Sequence, residues 1–333
     1  MRPTECANPE STSRGWRTSS SPEDETSYNR PMPELPEVET IARGVNQRVR
    51  GDRIVEVWFG GKREPFKTPA ARQARGLEGR TILAVHRTGK HIVCELGAAA
   101  ESMESHPSRK NKDAARVGHP DAGVTEQASE TAAQWIVHLG MTGRLLVTTP
   151  DAPVALHTHA RLSLSSGREL RFVDPRRFGR LEYRELSRSA GFLAPGADPL
   201  NVTAAEFARL FHGRRLAIKA ALLNQKLLAG VGNIYADESL FRAGIRPRRL
   251  AGRLSRAELE GLRLALGEVL RDAIRLGGSS VSDYVDAEGE RGFFQLEHCV
   301  YQRTGLPCFR CQTPIRRLAL AGRGTHYCPQ CQR

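Results

Sequence analysis

The chain has 333 residues, long enough for two or three domains with separate cores. Its net charge of +13, with a pI near 9.9, suggests a polyanionic partner; nucleic acid, a ribosomal surface and a membrane surface share that signature. No apolar run approaches the ~18–20 residues of a membrane span, and the first thirty residues lack the apolar stretch of a secretory signal, so a cytoplasmic protein with no membrane partner is the expectation.

Residues 1–31 are largely Ser, Thr, Pro, Glu and Arg with almost no aliphatic side chain, too polar to bury a core, and are expected to form a disordered N-terminal extension. Five acidic residues there argue against a transit peptide, and with only four arginines the segment leaves the basic excess to the rest of the chain. The first organised stretch is Met32-Pro33-Glu34-Leu35-Pro36-Glu37-Val38-Glu39-Thr40. A methionine that precedes a small residue is readily trimmed from a start site, which would leave Pro33 as a free secondary amine. An α-amino group titrates near ~7.7–8, so an uncharged fraction is present at neutral pH and can attack a sugar C1′ to form an iminium intermediate. Glu34 stands beside it, placed to shuttle protons. The same string also reads as a plain helix start, with Pro36 in the first turn. Val38, Ile41, Val45 and Val49 recur at helical spacing across 36–50, so the stretch is expected to be mounted on a packed helix.

Beyond Gly51 the grammar changes to short β-branched and alternating runs at 53–59, 81–85, 91–96, 134–139, 144–147, 160–164, 169–173 and 180–183, which predict a β-sandwich or barrel. Residues 97–133 interrupt the pattern with a Ser-, Ala-, Glu- and Lys-rich segment, read as a disordered insertion in a hairpin, which a surface turn tolerates at small entropic cost. From Thr203 the spacing is helical, over 204–211, 216–228, 234–243 and 255–276, and Ser255 with Glu258 forms a capping-box start for the last helix. Gly277-Gly278 stops that helix, and a polar, Gly-rich loop runs on to Gly292.

Of seven cysteines, Cys6, Cys94 and Cys299 are scattered and read as reduced thiols. Cys308-x2-Cys311 and Cys328-x2-Cys331, with sixteen residues between the pairs, have zinc-ligand spacing. Four thiolates close a tetrahedral site and leave no position for water, so one structural Zn2+ is expected. Disulfides are the alternative, disfavoured by the missing secretory signal.

Other loops carry residues unusual for polar connectors. Lys90 ends the turn Arg87-Thr88-Gly89. Met141 lies in His138-Leu139-Gly140-Met141-Thr142-Gly143, and Arg176 and Phe178 in Asp174-Pro175-Arg176-Arg177-Phe178-Gly179. An apolar wedge at a loop tip suits insertion into a base stack, and a guanidinium can hydrogen-bond an orphaned base; core packing of Met141 and Phe178 is the alternative. Lys219 and Asn233 flank Gly230-Val231-Gly232, where glycines at a helix connection let amides approach a phosphate at a helix start. A dinucleotide site would need a preceding strand instead.

MPELPEVETIARGV, GVGNIYADE, the GGSSVSDY loop and the cysteine pairs together resemble the bacterial formamidopyrimidine-DNA glycosylases, which remove oxidised purines such as 8-oxoguanine. The resemblance covers nearly all of 32–333; the extension and the 97–133 segment depart from it. Leu35 and the 277–292 loop fit the purine-specific branch better than the endonuclease VIII branch. It implies an α+β multidomain fold: a catalytic β-sandwich with a leading helix over 32–190, a helix–two-turns–helix domain with a lesion-capping loop over 199–292, and a zinc finger over 293–333. It also implies a glycosylase and abasic-site lyase that works through a Schiff base at Pro33, with Glu34 transferring protons and β- then δ-elimination. Lys90 would reach the phosphate and sugar of the damaged nucleotide, Arg323 the adjoining phosphates, and Lys219 with Asn233 would pinch another phosphate. Met141 and Phe178 would fill the void, and Arg176 would read the widowed cytosine. The Ser279 carbonyl would read the N7–H that oxidation creates, amides from Val281 to Tyr284 would hold O6, and Glu37 belongs with these DNA-contacting residues. The implied partner is duplex DNA containing oxidised purines, and the implied assembly a monomer at the nucleoid. Two other readings stay open: an enzyme of the same scaffold that prefers oxidised pyrimidines, and a non-catalytic damaged-DNA-binding protein, should residues 1–31 stay attached and keep the Pro33 nitrogen an amide.

Overall fold

A computed structural model describes residues 32–61, 66–99, 130–280, 286–287 and 289–333. Expectations for 1–31, for the middle of the 97–133 segment and for the loop amides through Tyr284 lie outside the described residues.

Helix α1 (Leu35–Val49) starts at Glu34, whose backbone N–H donates to the Glu37 carboxylate at 2.9 Å. Its apolar stripe, Val38, Ile41, Ala42, Val45 and Val49, is buried, as the spacing requires. Eight strands follow: β1 (Ile54–Phe59), β2 (Arg80–Thr88), β3 (His91–Ala99), β4 (Ala133–His138), β5 (Arg144–Thr148), β6 (Thr158–Leu164), β7 (Glu169–Val173) and β8 (Arg180–Glu185). They form two antiparallel sheets, ordered β1-β6-β7-β5 and β2-β3-β4-β8, which share one core with α1 through residues such as Ile54, Ile92, Trp135, Phe172 and Leu181. Helix α2 (Ala70–Leu77) lies between β1 and β2 and escaped the sequence reading, because Leu77 is its only large apolar residue. The 97–133 segment is strand at both ends, with β3 running to Ala99 and Leu96 pairing with Ala133.

The second half is helical: α3 (Ala204–Phe211), α4 (Ile218–Leu222), α5 (Asn233–Arg242) and α6 (Arg256–Arg275). The helix expected over 216–228 is only α4. Beyond it the side chains of Asn224 and Gln225 accept from the backbone N–H groups of Lys226 (3.0 Å) and Gly230 (2.8 Å), and such local side-chain bonds compete with helix continuation. Strands β9 (Arg316–Leu320) and β10 (Arg323–Tyr327) make the terminal hairpin. No helix among the described residues is long and apolar enough to cross a membrane.

Helix α1 belongs to two cores. Leu35 packs with Phe207, Ile234 and Tyr235 of the helical half, while Val38 onward packs in the sandwich. Arg87 fastens the same junction: its Nε lies 2.8 Å from Glu39 on α1 and its Nη2 2.5 Å from Asp198 in the connecting segment. The N-terminal turn of α1 is therefore fixed in the seam between the halves.

Candidate active site and nucleic-acid interface

The start of α1 meets the start of α5. Leu35 N–H donates to the Gly230 carbonyl at 3.0 Å. Gly232 caps α5, and a Cβ there would lie 2.1 Å from the Glu34 carboxyl carbon, so only glycine admits that carboxylate. Glu34 accepts from the Ile234 N–H at 3.1 Å and faces that of Tyr235 at 3.5 Å. It is 3 % exposed, and burial pushes its pKa up to about 7, with Glu37 adding to the rise; the Lys90 charge and the two amides pull the other way and lose. A carboxyl group that titrates near neutrality can both give and take a proton. Pro33 is buried beside it.

Glu37, grouped with the DNA contacts from sequence, is instead a buried hub. It accepts from the N–H of Glu34 (2.9 Å), the hydroxyl of Tyr235 (2.5 Å) and the N–H of Ser279 (2.8 Å), and burial raises its pKa. Solvent-facing DNA contact does not fit a side chain so enclosed; joining α1, α5 and the irregular segment that leaves α6 does. Ser279 is accordingly buried next to the N-terminal turn of α1. Lys90, in the β2–β3 turn, sits among the charges of Glu34, Glu37 and Arg323, and burial lowers its pKa against the two carboxylates. Arg323 opens β10 and is exposed. Glu34, Lys90 and Arg323 therefore converge from three separate elements.

Lys219 departs from expectation. It is 0 % exposed, with its ammonium 2.7 Å from Asp237, 2.9 Å from the Gly324 carbonyl and 2.9 Å from the Thr325 hydroxyl. Asp237 in turn accepts from the His326 N–H at 2.8 Å. With its donors engaged internally, Lys219 ties α4 and α5 to the β9–β10 hairpin rather than presenting to a phosphate. Asn233, at the first position of α5, is only partly buried. Asp237 was not singled out from sequence, since nothing in GVGNIYADE marks which acid faces the hairpin.

The loops that carry Met141 and Phe178 lock together. Gly140, at φ +65°, lies so close to Phe178 and Gly179 that a Cβ would fall 2.5 Å from the Phe178 carbonyl carbon. Asp174, fully buried, accepts from the Thr142 hydroxyl (2.6 Å) and the Gly179 N–H (2.8 Å). Phe178 is 47 % exposed with the Arg176 guanidinium 4.8 Å from its ring centre, and Met141 is half-buried. Core packing, the alternative for Phe178, is not what the fold shows. Arg177 takes φ 56°, a strained value for a side-chain-bearing residue, in keeping with a loop shaped for more than connection.

The four cysteine sulfurs lie within 4.8 Å of one another, with Cys308 to Cys331 at 3.9 Å and Cys311 to Cys328 at 3.4 Å. A disulfide requires ~2.05 Å, whereas ligands ~2.3 Å from a tetrahedral zinc stand about 3.8 Å apart. The donor set fits one structural zinc and no open coordination position.

Comparison with known proteins agrees along the chain. Family models described as formamidopyrimidine-DNA glycosylase N-terminal domain, formamidopyrimidine-DNA glycosylase H2TH domain, and zinc finger found in FPG and IleRS match residues 32–181, 193–285 and 305–333. The formamidopyrimidine-DNA glycosylase of Solibacter usitatus is 42% identical over 303 residues, covering 91% of this chain and 100% of the relative; that of Thioalkalivibrio sulfidiphilus is 40% identical over 306 residues with the same coverage. Among solved structures, a Lactococcus lactis FPG mutant in complex with Fapy-dG-containing DNA superposes with a TM-score of 0.74 at 31% identity, covering 90% of this chain and 100% of that one. With the seam, the loops and the thiolate cluster in place, these matches show that the chain belongs to the formamidopyrimidine-DNA glycosylase family.

Proposed function

We propose that this protein, in a form that begins at Pro33, excises oxidised purines from duplex DNA and cleaves the strand at the abasic site it creates. One observation carries the reading: Glu34, held near a neutral pKa against the start of α5, lies next to Pro33 and within the field of Lys90. The relatives' names and their complexes with DNA support the substrate class.

The target nucleotide leaves the stack so that its C1′ can be reached. The Pro33 nitrogen forms a bond to C1′ as the C1′–N9 bond breaks, and the base departs with the bonding electrons and is protonated. The amine gives up its proton, Glu34 delivers one to O4′, and the sugar ring opens to an iminium. Loss of a C2′ proton expels the 3′ phosphate, a second elimination expels the 5′ phosphate, and water then frees Pro33. Lys90, Asn233 and the exposed Arg323 hold the flanking phosphates; Lys219 acts by anchoring the hairpin that carries Arg323. Met141 and Phe178 enter the gap, and Arg176 bonds the unpaired partner base. The Ser279 carbonyl, whose residue Glu37 holds through its N–H, accepts from the N7–H that distinguishes 8-oxoguanine from guanine. A monomer that associates with the nucleoid is the matching expectation for assembly and location.

The test is single-turnover excision by the form starting at Pro33, on duplexes carrying 8-oxoguanine or thymine glycol. Faster release of 8-oxoguanine is expected, and a preference for thymine glycol would move the protein to oxidised pyrimidines. Glu34→Gln should abolish base release while lesion binding persists; normal turnover in that variant would remove Glu34 from the proton transfers.

A further inference from the structure

Ser279 is held from two sides. Its N–H donates to Glu37 at 2.8 Å, and its hydroxyl meets His298 Nε2 at 3.3 Å. Both Ser279 and His298 are buried, at 5 % and 6 % exposure. His298 follows a short 3-10 turn (Phe294–Glu297), and its ring stands edge-on between Phe294 and Tyr301, each 5.5 Å away. The backbone just after it is fastened to α5, because the N–H groups of Cys299, Val300 and Tyr301 donate to the Glu238 carboxylate at 2.9, 3.0 and 2.8 Å. Gln295, from the same turn, accepts from the Ser280 N–H at 2.9 Å. The imidazole is thus rigidly mounted on a segment separate from α1. Burial, with the charges of His326 and Arg303, pushes its pKa down to about 3, so the ring is neutral at physiological pH.

We propose that His298 is a positioning residue for lesion recognition: by holding the Ser279 hydroxyl it fixes the direction of the Ser279 carbonyl, and so sets the preference for an oxidised purine over guanine. This rests on the function proposed above, in which that carbonyl reads N7–H. Glu37 holds the amide before the Ser279 Cα and Gln295 holds the Ser280 N–H of the peptide unit that carries the Ser279 carbonyl; the hydroxyl contact with His298 fixes the side chain on the same Cα and completes the restraint on where that carbonyl points. Nothing in the loop sequence announces it, since His298 lies 19 residues beyond Ser279.

The experiment measures equilibrium binding of the form that begins at Pro33 to three duplexes, identical except for one site. That site carries 8-oxoguanine with a 2′-fluorine that blocks excision, guanine with the same fluorine, or a tetrahydrofuran abasic analogue that has no base to read. His298→Leu should bind the 8-oxoguanine duplex roughly three- to tenfold more weakly, the range for one buried hydrogen bond, and leave tetrahydrofuran binding within twofold. His298→Gln, whose amide can reach the same hydroxyl, should restore the preference. Ser279→Ala should reproduce the loss, and the double variant should add nothing to it. Equal weakening on the 8-oxoguanine and tetrahydrofuran duplexes, or an unchanged ratio, overturns the proposal. If His298→Leu does not fold, Ser279→Ala against His298→Gln decides, and a preference unchanged in Ser279→Ala overturns it. A parent protein that binds 8-oxoguanine and guanine alike overturns the underlying reading, and this inference with it.

Discussion

Glu34 is buried at the expense of stability, in a state that suits the proton transfers proposed for it. Its folded pKa is about 7 against an ordinary 4.5, so between those values the folded protein keeps a proton that the unfolded chain releases. Stability from this group therefore falls as pH rises through that window: the penalty is absent below about 4.5 and complete above about 7, on the order of 3 kcal/mol in all. Glu34→Gln, which keeps an acceptor for the Ile234 N–H, should raise the melting temperature at pH 8, and the gap from the parent should close towards pH 5. A gap that does not change with pH would contradict the burial argument. The identity of Glu34 was legible in the sequence, but its setting was not, because the amide it meets lies 200 residues away. The same limit hid Asp174, Asp237 and the true place of Glu37, whose partners come from other elements, and it left Lys219 looking like a free cation.

At the scale of elements, strands such as β8 were legible because a half-buried strand repeats every two residues, and β4, buried along nearly its whole length, was legible as a short apolar run. Helix α2 was not, having one large apolar residue, and the 216–228 helix was overcalled because apolar spacing continues through a turn that Asn224 and Gln225 hold. The element that matters most for chemistry is the start of α5. Gly232→Ala would place a methyl group 2.1 Å from the Glu34 carboxyl carbon, forcing the carboxylate or the helix aside. A displacement near 1 Å can slow an oriented reaction by about a hundredfold, and base excision should fall by that order while DNA binding changes little. Single-turnover rates beside binding curves would show it; an excision rate equal to the parent's would mean that the close approach is dispensable. The loops that carry Met141 and Phe178 depend on Asp174 in the same way. Asp174→Ala removes the acceptor for the half-buried Thr142 hydroxyl and the buried Gly179 N–H, and the unmet Gly179 donor alone costs about 1–3 kcal/mol. Lesion affinity should drop more than binding to intact duplex; equal drops would place the effect on overall folding.

Among the described residues the molecule is three cores joined at two seams. The first is the α1–α5 junction with Arg87 across it. The second is the hairpin, where Cys308 and Cys328 share a core with Phe241, Val300 and Ile315. Zinc removal should unravel the second seam, because a four-thiolate module draws its folding free energy from the metal. Lys219 would then lose Gly324 and Thr325, and Arg323 would lose its mount. Chelation is expected to weaken DNA binding and flatten its dependence on salt, with the sandwich still folded by circular dichroism; unaltered binding without zinc would detach the hairpin from the interface. The central claim concerns the nitrogen of Pro33, which is an amide while Met32 remains attached and, in the function proposed, the nucleophile once it is free. Borohydride trapping on an 8-oxoguanine duplex, with protein starting at Pro33 beside the intact 333-residue protein, tests it most directly. A covalent adduct with the shorter form alone is the expected result. An adduct of equal yield with the longer form, its extension verified by mass, would assign the chemistry to a lysine and contradict the account.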